Sequence, residues 1–191
     1  MTYFVRVMLG EQSGHAEECF QDGVIGTDFE LSNDLTSLLK DTWVDSKKDL
    51  TELYRKVRPD RSPVSVGLAC GAIWTVSKGI PIGGNVISPT GQGTYAIGKV
   101  VSEYEFVPGN YLPHRRKVAW QSDRIPASSF SPQLLKALRL PLTCIDVSPY
   151  SAELLEFIDG RPRTVVTGVE DIESASRFAL EEILEEFLVA N

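Results

Sequence analysis

The sequence predicts an α+β fold: a small, strongly curved β-sheet or barrel, flanked by helices and followed by a C-terminal helical segment. The first observation is a set of segments rich in β-branched and aromatic residues, typical of strands, at 2–9, 83–89, 93–106 and 116–121. The second is that glycine- and proline-containing turns join the last three of them. The third is a pair of segments with helical periodicity between the first strand and the second.

The stretch after the first strand combines a short strand with helices. Gly23 and Gly26 bracket an extended piece, and the Ser32–Asn33–Asp34 cluster is the kind of polar cap that predicts a helix through Leu38. From 41 to 57, apolar residues recur at the spacing of one face of an amphipathic helix. We therefore expect two helices in this stretch.

The next helix is marked at both ends. Ser62 can cap it with Pro63 at its first position, and Gly79 can end it. One of its faces is apolar and consists of Val66, Ala69, Cys70, Ile73 and Val76, while another carries Gly67, Gly71, Trp74 and Lys78. Each interior glycine costs a helix about 1 kcal/mol relative to alanine, so we expect a neighbouring strand, or else a ligand or nucleic acid, to approach that backbone closely.

The end of the chain has a different character. Residues 122–165 read as short helical pieces and loops, and SASRFALEEILEEFLVAN (174–191) predicts a helix with one apolar and one acidic face. That apolar face either packs back on the domain or belongs to a downstream domain of which this chain holds only the start, and we favour the second. The predicted organisation is a domain at 1–125, connecting helices and loops at 126–168, and an acidic helix at 169–191.

The charge of the chain is unevenly distributed. Residues 169–191 hold seven acids and one base, so they account for −6 of the net charge of −7 and leave −1 for the other 168 residues. Basic residues cluster in YRKVRPDR (54–61) and HRRK (114–117). A local positive surface is therefore expected, and the acidic whole chain does not argue against a polyanionic partner.

Several classes of protein are disfavoured. The first residues lack a basic start followed by an apolar run, and no stretch approaches 18 apolar residues, so we expect a cytoplasmic protein with no membrane partner. Three isolated cysteines favour buried thiols in a reducing compartment. With two histidines and no Cys-x-x-Cys, we expect no metal and no other cofactor.

The usual signatures of catalysis are also missing. The sequence contains no G-x-S-x-G, no H-E-x-x-H and no G-x-x-x-x-G-K-[ST], and TGQG (90–93) leads into a strand, as a turn does. No Glu is followed two positions later by Lys, which removes the usual end of a metal-dependent nuclease site. Cys19 or Cys70 could meet His15 or His114, but a lone cysteine on an apolar face is usually a core residue. We expect no catalytic residues in this chain.

Four segments, in this order and spacing, resemble one known family: GVIGTDFELSNDLT (23–36), AIWTVSKGIPIGGNVISP (72–89), YAIGKVVSEYEF (95–106) and LPHRRKVAW (112–120). The most specific part is the strand ending in G-K-V, followed by an aromatic pair and then H-R-R-x-V-x-W. Together they resemble the EVE domain of the PUA-like superfamily. In particular, they are similar to the N-terminal modules of modification-dependent (type IV) restriction endonucleases of the McrBC and Mrr kinds. The resemblance covers about residues 1–125.

The resemblance implies a non-catalytic, PUA-like reader of modified double-stranded DNA. Such a module holds a flipped methylated or hydroxymethylated base in an aromatic-walled pocket and targets a fused nuclease, whose opening helix residues 169–191 would form. The implied pocket residues are Gly26, Thr27, Asp28, Phe29, Trp74, Tyr104, Phe106 and Tyr111. The implied contacts to the nucleic-acid backbone are Arg55, Arg58, Lys78, His114, Arg115, Arg116 and Lys117. Related readers often carry Trp in the loop after the first strand, so Phe29 or a neighbour would supply that wall here.

Two other functions stay open at this point. PUA-like modules also read modified RNA, and nothing in the rings or bases distinguishes the sugar. Alternatively, the C-terminal acidic amphipathic helix could dock on a protein partner, with HRRK incidental. Trp120 alternates with Val118 in its strand, which favours a place in the core. Binding through phosphates should weaken steeply with salt, whereas docking through an apolar helix face should not.

Overall fold

The computed structural model describes residues 2–159, apart from the side chain of Ser122. Its strands form one curled, half-barrel mixed sheet in the order β2-β6-β4-β3-β1-β7, with β5 added beside β6. The strands are β1 (Phe4–Val7), β2 (Val24–Thr27), β3 (Asn85–Pro89), β4 (Thr94–Val100), β5 (Glu105–Phe106), β6 (His114–Pro126) and β7 (Cys144–Asp146). The helices are α1 (Ala16–Asp22), α2 (Trp43–Val57), α3 (Pro63–Trp74), α4 (Pro132–Leu138) and α5 (Ser151–Asp159). The expected α+β architecture with a curved sheet is confirmed.

The curl of the sheet comes from the long strand β6. Its first part, from His114 to Lys117, pairs with β2 and also with β5, while the part from Val118 to Pro126 pairs with β4. All pairings in the sheet are antiparallel except that of β1 with β3. The first residues of β6 therefore lie inside the sheet, with β2 on one side of the strand and β5 on the other.

Gly98 in β4 allows β4 and β6 to approach each other closely. A Cβ atom on Gly98 would lie 2.5 Å from Val118 Cγ1 and 2.6 Å from Trp120 Cε3. The register between β4 and β6 shifts between Ala96 and Gly98, next to this contact. The Trp120 ring packs edge-on against Phe20, and its Nε1 donates to the Cys19 carbonyl at 3.2 Å. Trp120 is thus a core residue, and the glycine of the G-K-V segment gives it room.

The helices α2 and α3 pack on each other beside the sheet. Ser62 caps α3 by accepting from the Ser65 amide, with Pro63 at its first turn, and the helix continues as a π-helical turn over Thr75–Gly79. Its predicted apolar face is buried as expected. The close approach expected at the glycine face is absent at Gly71, where an added Cβ would meet nothing within 4 Å. This face opens into a cavity instead.

Three predicted elements differ from the structure. The predicted helix through Leu38 is a series of turns, because the Asp34 carboxylate accepts from the amide and hydroxyl of Thr36. The predicted strand 93–106 is interrupted after Val100 and resumes as the two-residue β5. The segment 122–165, predicted to be helical pieces and loops, also holds the short strand β7, which adds to the edge of the sheet beside β1.

The part of the chain after β6 packs on the outer side of the sheet. Side chains from α4, α5 and the segment before α4 form one core with residues of β1, β3, β4 and β6; its fully buried members include Phe4, Ile87, Ile97, Leu134, Leu138 and Leu154. The predicted acidic helix at 169–191 lies outside the described residues. Within residues 2–159, none of the helices combines the length and apolar character that crossing a bilayer requires.

Candidate functional site

Two cavities share a wall on one side of the molecule. The first, here called the β1–β2 cavity, has a volume of about 730 Å³ and lies among the residues that follow β1 and β2. The second, here called the α3 groove, has a volume of about 790 Å³ and runs along the glycine face of α3. Phe29 and the segment Pro141–Thr143 line both. These volumes fall within the range of about 300–1,000 Å³ that is typical of pockets for small organic ligands.

The β1–β2 cavity gathers most of the predicted pocket residues. Five of them line it: Gly26, Thr27, Asp28, Phe29 and Tyr111. Residues from the turn after β1, including Gly10, Gln12 and His15, complete it. The expected juxtaposition of an aromatic ring, a carboxylate and a small-residue strand end is therefore present, although Trp74, Tyr104 and Phe106 lie elsewhere.

The backbone around this cavity is strained. Within residues 2–159, the non-glycine residues with positive φ are Gln12, Ser13, Phe29 and Glu30, at 51°, 64°, 49° and 60°. Three of the four line the β1–β2 cavity. The Asp28 side chain and carbonyl support the turn by accepting from the amides of Glu30 and Leu31, each at 3.1 Å. Such conformations are costly for residues with a Cβ and cluster at binding sites.

Two polar atoms of the cavity lack hydrogen-bond partners. Thr27 is 3% exposed, and its Oγ1 has no hydrogen bond. His15 Nδ1 is also buried without a hydrogen bond, with the Glu18 carboxylate 3.9 Å away. Leaving a buried polar group unpaired costs about 1–3 kcal/mol, so a ligand atom that reached either group would remove that penalty.

The aromatic residues of the cavity have different roles. The Tyr111 ring stacks on His15 at a centroid distance of 5.0 Å, and the Arg115 guanidinium lies over it at 4.4 Å. Its hydroxyl donates to Asp22 Oδ2 at 2.8 Å, and burial raises the pKa of this phenol. Because Tyr111 already has these partners, it supports the wall. His15 stacks on this ring and Phe29 packs edge-on against Tyr54, but both are half-buried, so the exposed part of each can contact a ligand.

The two cavities differ in charge. The described residues that line the β1–β2 cavity include Glu11, Asp28 and Glu30, and no lysine or arginine is among them. The α3 groove instead includes Lys47 and Arg61 and no carboxylate among its described lining residues. The α3 groove is the more favourable place for an anion.

The family comparison covers both cavities. The chain matches the family model described as Domain of unknown function (DUF8426) over residues 5–140. The chain belongs to the DUF8426 family. No curated protein matches it. The matched range includes every lining residue of both cavities named above except the shared segment Pro141–Thr143.

The basic run HRRK is buried in this DUF8426 chain, which corrects the prediction of a phosphate-contacting rim. His114, Arg115 and Arg116 are 0%, 6% and 1% exposed, and only Lys117 is on the surface. Arg116 donates to the carbonyls of Ser102 and Ile80, and burial lowers the pKa of its guanidinium. The strand that carries these side chains lies between β2 and β5, and His114, Arg115 and Arg116 all bond to backbone carbonyls.

Arg115 belongs to the frame of the β1–β2 cavity. Its Nε donates to the Leu112 carbonyl at 2.5 Å, and its Nη2 donates to the side chain of Asn110. The side chain thus holds the turn 110–112 in place while its guanidinium covers the Tyr111 ring. The structure assigns it a positioning contact with Tyr111 in place of the predicted phosphate contact.

Tyr104 and Phe106 surround His114 and line neither cavity, which corrects their predicted place in the pocket. The Tyr104 hydroxyl lies 2.9 Å from His114 Nδ1 and accepts from the Leu35 amide at 3.1 Å. His114 Nε2 lies 2.9 Å from the Leu31 carbonyl, which can only accept, so Nε2 donates and Nδ1 accepts from Tyr104. These hydrogen bonds connect the loop 31–35 to β6.

The stability of the protein should depend on pH through His114. Burial lowers the pKa of its imidazole below the usual 6.5. Below that pH the unfolded chain binds more protons at His114 than the folded protein does. The contribution of His114 to the free energy of unfolding is therefore complete above pH 6.5 and is lost as the pH falls towards the pKa of the folded state. We expect the urea midpoint to fall between about pH 7.5 and about pH 5.5, and to fall less in His114→Gln. Equal falls in both proteins would contradict this role.

The remaining predicted basic contacts are scattered. Arg58 pairs with Glu30 at the edge of the β1–β2 cavity and with Asp60, and Lys78 pairs with Asp41 at 3.3 Å. Arg55 is exposed in the last turn of α2. None of the three lines either cavity. The basic residues that do line one, Lys47 and Arg61, were not in the predicted set, although the YRKVRPDR cluster includes Arg61.

Trp74 lines the α3 groove, apart from the β1–β2 cavity. Its Nε1 donates to the Lys40 carbonyl at 3.3 Å, and its ring lies against Gly79, where a Cβ would come within 2.5 Å of it. Trp43, at the start of α2, lies beside it at a centroid distance of 6.2 Å. The helical spacing of Gly67, Gly71 and Trp74 therefore did identify one face of a cavity.

Arg6 fixes the wall shared by both cavities and was not among the residues predicted from the sequence. Arg6 is 0% exposed, and its guanidinium donates to the carbonyls of Leu142 and Leu140 at 2.5 and 2.7 Å. A charged residue inside the apolar strand YFVRVML is the signal that could have found it. Arg6 joins β1 to the segment that separates the cavities.

The cysteines show no sign of nucleophilic chemistry. Burial raises the pKa of Cys19 to about 12 and that of Cys70 to about 11, so both thiols are protonated at neutral pH. Among residues 2–159, no group of three or more His, Cys, Asp or Glu side chains could hold a metal ion. The geometry of the cavities is suited to binding a ligand by stacking and hydrogen bonds.

Proposed function

We propose that this DUF8426 chain is a non-catalytic reader of modified DNA with a PUA-like fold, and that it holds a flipped methylated or hydroxymethylated base in the β1–β2 cavity. The observation that carries the proposal is the buried, unpaired hydroxyl of Thr27, a residue that lines the same cavity as Phe29, His15 and Asp28. These are a hydrogen-bonding hydroxyl, two flat rings and an acceptor, which together match a nucleobase.

The polar groups of the cavity favour a base that carries an amino group. Carboxylates accept hydrogen bonds from the exocyclic amine of cytosine, and the adenine amine offers the same kind of donor. Asp28 uses one carboxylate oxygen for the Glu30 amide, and its other oxygen can accept from such an amine. The Thr27 hydroxyl can then donate a hydrogen bond to a ring nitrogen or accept one from a ring N–H.

The energetics of base flipping are compatible with this cavity. Extruding one nucleotide from a duplex costs a few kcal/mol. Stacking on an aromatic ring returns about 1–3 kcal/mol per base, and pairing the Thr27 hydroxyl removes a further penalty of about 1–3 kcal/mol. Fused to a nuclease, the reader would target it to modified DNA.

The test is fluorescence anisotropy with matched duplexes that carry an unmodified base, N6-methyladenine, 5-methylcytosine or 5-hydroxymethylcytosine. We expect one modified duplex to bind more tightly than its unmodified partner. Thr27→Val should reduce that binding about five- to tenfold, because it removes the hydroxyl at nearly constant volume, whereas Thr27→Ser should keep it. Equal affinity for all duplexes, or no difference between the two variants, would argue against the proposal. Tighter binding to the matched RNAs would assign the reader to RNA.

A further inference from the structure

The geometry points to a second nucleotide site: we infer that the α3 groove binds the nucleotide next to the flipped base, with its base against Trp43 and its phosphate near Lys47 and Arg61. This inference rests on the proposed function, because the neighbouring nucleotide is brought there by the base in the β1–β2 cavity.

The two cavities are adjacent, as consecutive nucleotides require. They share Phe29 and Pro141–Thr143 as a common wall, which Arg6 holds in place through the carbonyls of Leu140 and Leu142. A strand whose base enters one cavity can place its next nucleotide across that wall. The α3 groove opens on the other side of the same wall.

The charges around the two cavities indicate where the base and the phosphates of this strand lie. Glu11, Asp28 and Glu30 around the β1–β2 cavity repel phosphates, although they suit the amino edge of a base. Lys47 and Arg61 in the α3 groove attract phosphates, and no carboxylate is among its described lining residues. The base therefore belongs in the first cavity and the adjoining backbone at the second.

The α3 groove also provides a surface on which a base can stack. Trp74 is fixed by its bond to Lys40 and its contact with Gly79, and Trp43 lies beside it, half-buried, at the first turn of α2. Along α3 the floor is open at Gly71, because a Cβ there would meet nothing within 4 Å. The helical glycine therefore leaves space for a flat ligand without being needed for packing.

The experiment measures binding of single-stranded pentanucleotides whose central base is N6-methyladenine, 5-methylcytosine or 5-hydroxymethylcytosine, with either neighbouring position intact or abasic. Trp43→Leu removes the stacking ring, and Gly71→Leu fills the groove from an open helix position at which the fold tolerates a side chain. Each should weaken the best-binding pentanucleotide about tenfold, and the effect should disappear when the neighbour on the groove side is abasic. Thermal unfolding of both variants checks that they remain folded.

The phosphate contact has its own control. Lys47→Gln should reduce the slope of log affinity against log salt by about 0.7, which corresponds to one phosphate of a single strand. Lys136→Gln, an exposed lysine on α4 that lines neither cavity, should leave the slope unchanged.

The outcomes separate the two proposals. If Trp43→Leu and Gly71→Leu bind the intact pentanucleotide as tightly as the wild type and still prefer the modified base, the α3 groove is not a nucleotide site and the proposed function stands. If the wild type shows no preference for any modified oligonucleotide, single-stranded or duplex, both proposals are wrong.

Discussion

Gly98→Val should lower the free energy of unfolding by about 3 kcal/mol, because its side chain would overlap Val118 and Trp120 where β4 and β6 pack most tightly. The neighbouring atoms belong to a core residue and to a ring fixed by its bond to Cys19, so neither can move aside cheaply. Urea denaturation at neutral pH measures the change, and the slope of the transition should stay constant.

Gly71→Ala is the matched control for this substitution. At Gly71 the added methyl group meets no neighbour, and alanine is the better helix former, so stability should rise by about 0.5–1 kcal/mol. Two glycine substitutions in one domain should thus change stability in opposite directions. If Gly98→Val were as stable as the wild type, the close contact between β4 and Trp120 would be wrong.

Phe29→Ala should abolish most of the preference for modified DNA. Phe29 lines both cavities, and the loss of one stacked ring corresponds to about 1–3 kcal/mol, or about five- to 150-fold in affinity. The backbone of residue 29 has φ 49°, and this strain is the same for alanine as for phenylalanine. Competition anisotropy between modified and unmodified duplexes measures the preference.

Phe29→Tyr is the control that keeps the ring. It should retain most of the preference, because the stacking surface is unchanged. If Phe29→Ala bound the modified duplex as tightly as Phe29→Tyr does, Phe29 would not be the wall of a base pocket. His15 would then be the remaining ring, and His15→Ala against His15→Phe would repeat the comparison on the other wall.

The buried arginines connect the fold to the function proposed for it. Arg6 fixes the wall between the cavities, Arg115 supports the Tyr111 ring, and Arg116 joins β6 to the carbonyls of Ile80 and Ser102. All three bond to backbone carbonyls. A guanidinium has five donors in a fixed plane, which allows one side chain to join several carbonyls at once. The basic character of HRRK thus serves the architecture, and Lys47 and Arg61 remain as candidate phosphate contacts.

The local pattern of the sequence determined much of the secondary structure and part of the candidate site. Helix α2 follows from its periodicity and helix α3 from Ser62 and Pro63, because caps and amphipathic spacing act within a few residues. Four consecutive residues that the family resemblance implied for the pocket, Gly26, Thr27, Asp28 and Phe29, line one cavity together because they follow one another at the end of β2. Neighbours in the chain determine these features.

Only the tertiary structure decided which charges and rings are buried. A run such as HRRK has the same sequence whether its strand lies at an edge or, as here, between β2 and β5, and the carbonyls that receive Arg116 come from Ile80 and Ser102. Likewise, Asp34 could have capped a helix, but the Leu35 amide bonds to Tyr104, 69 residues away. Contacts between residues so far apart in the sequence depend on how the sheet curls. They cannot be predicted from the residues next to each partner in the chain.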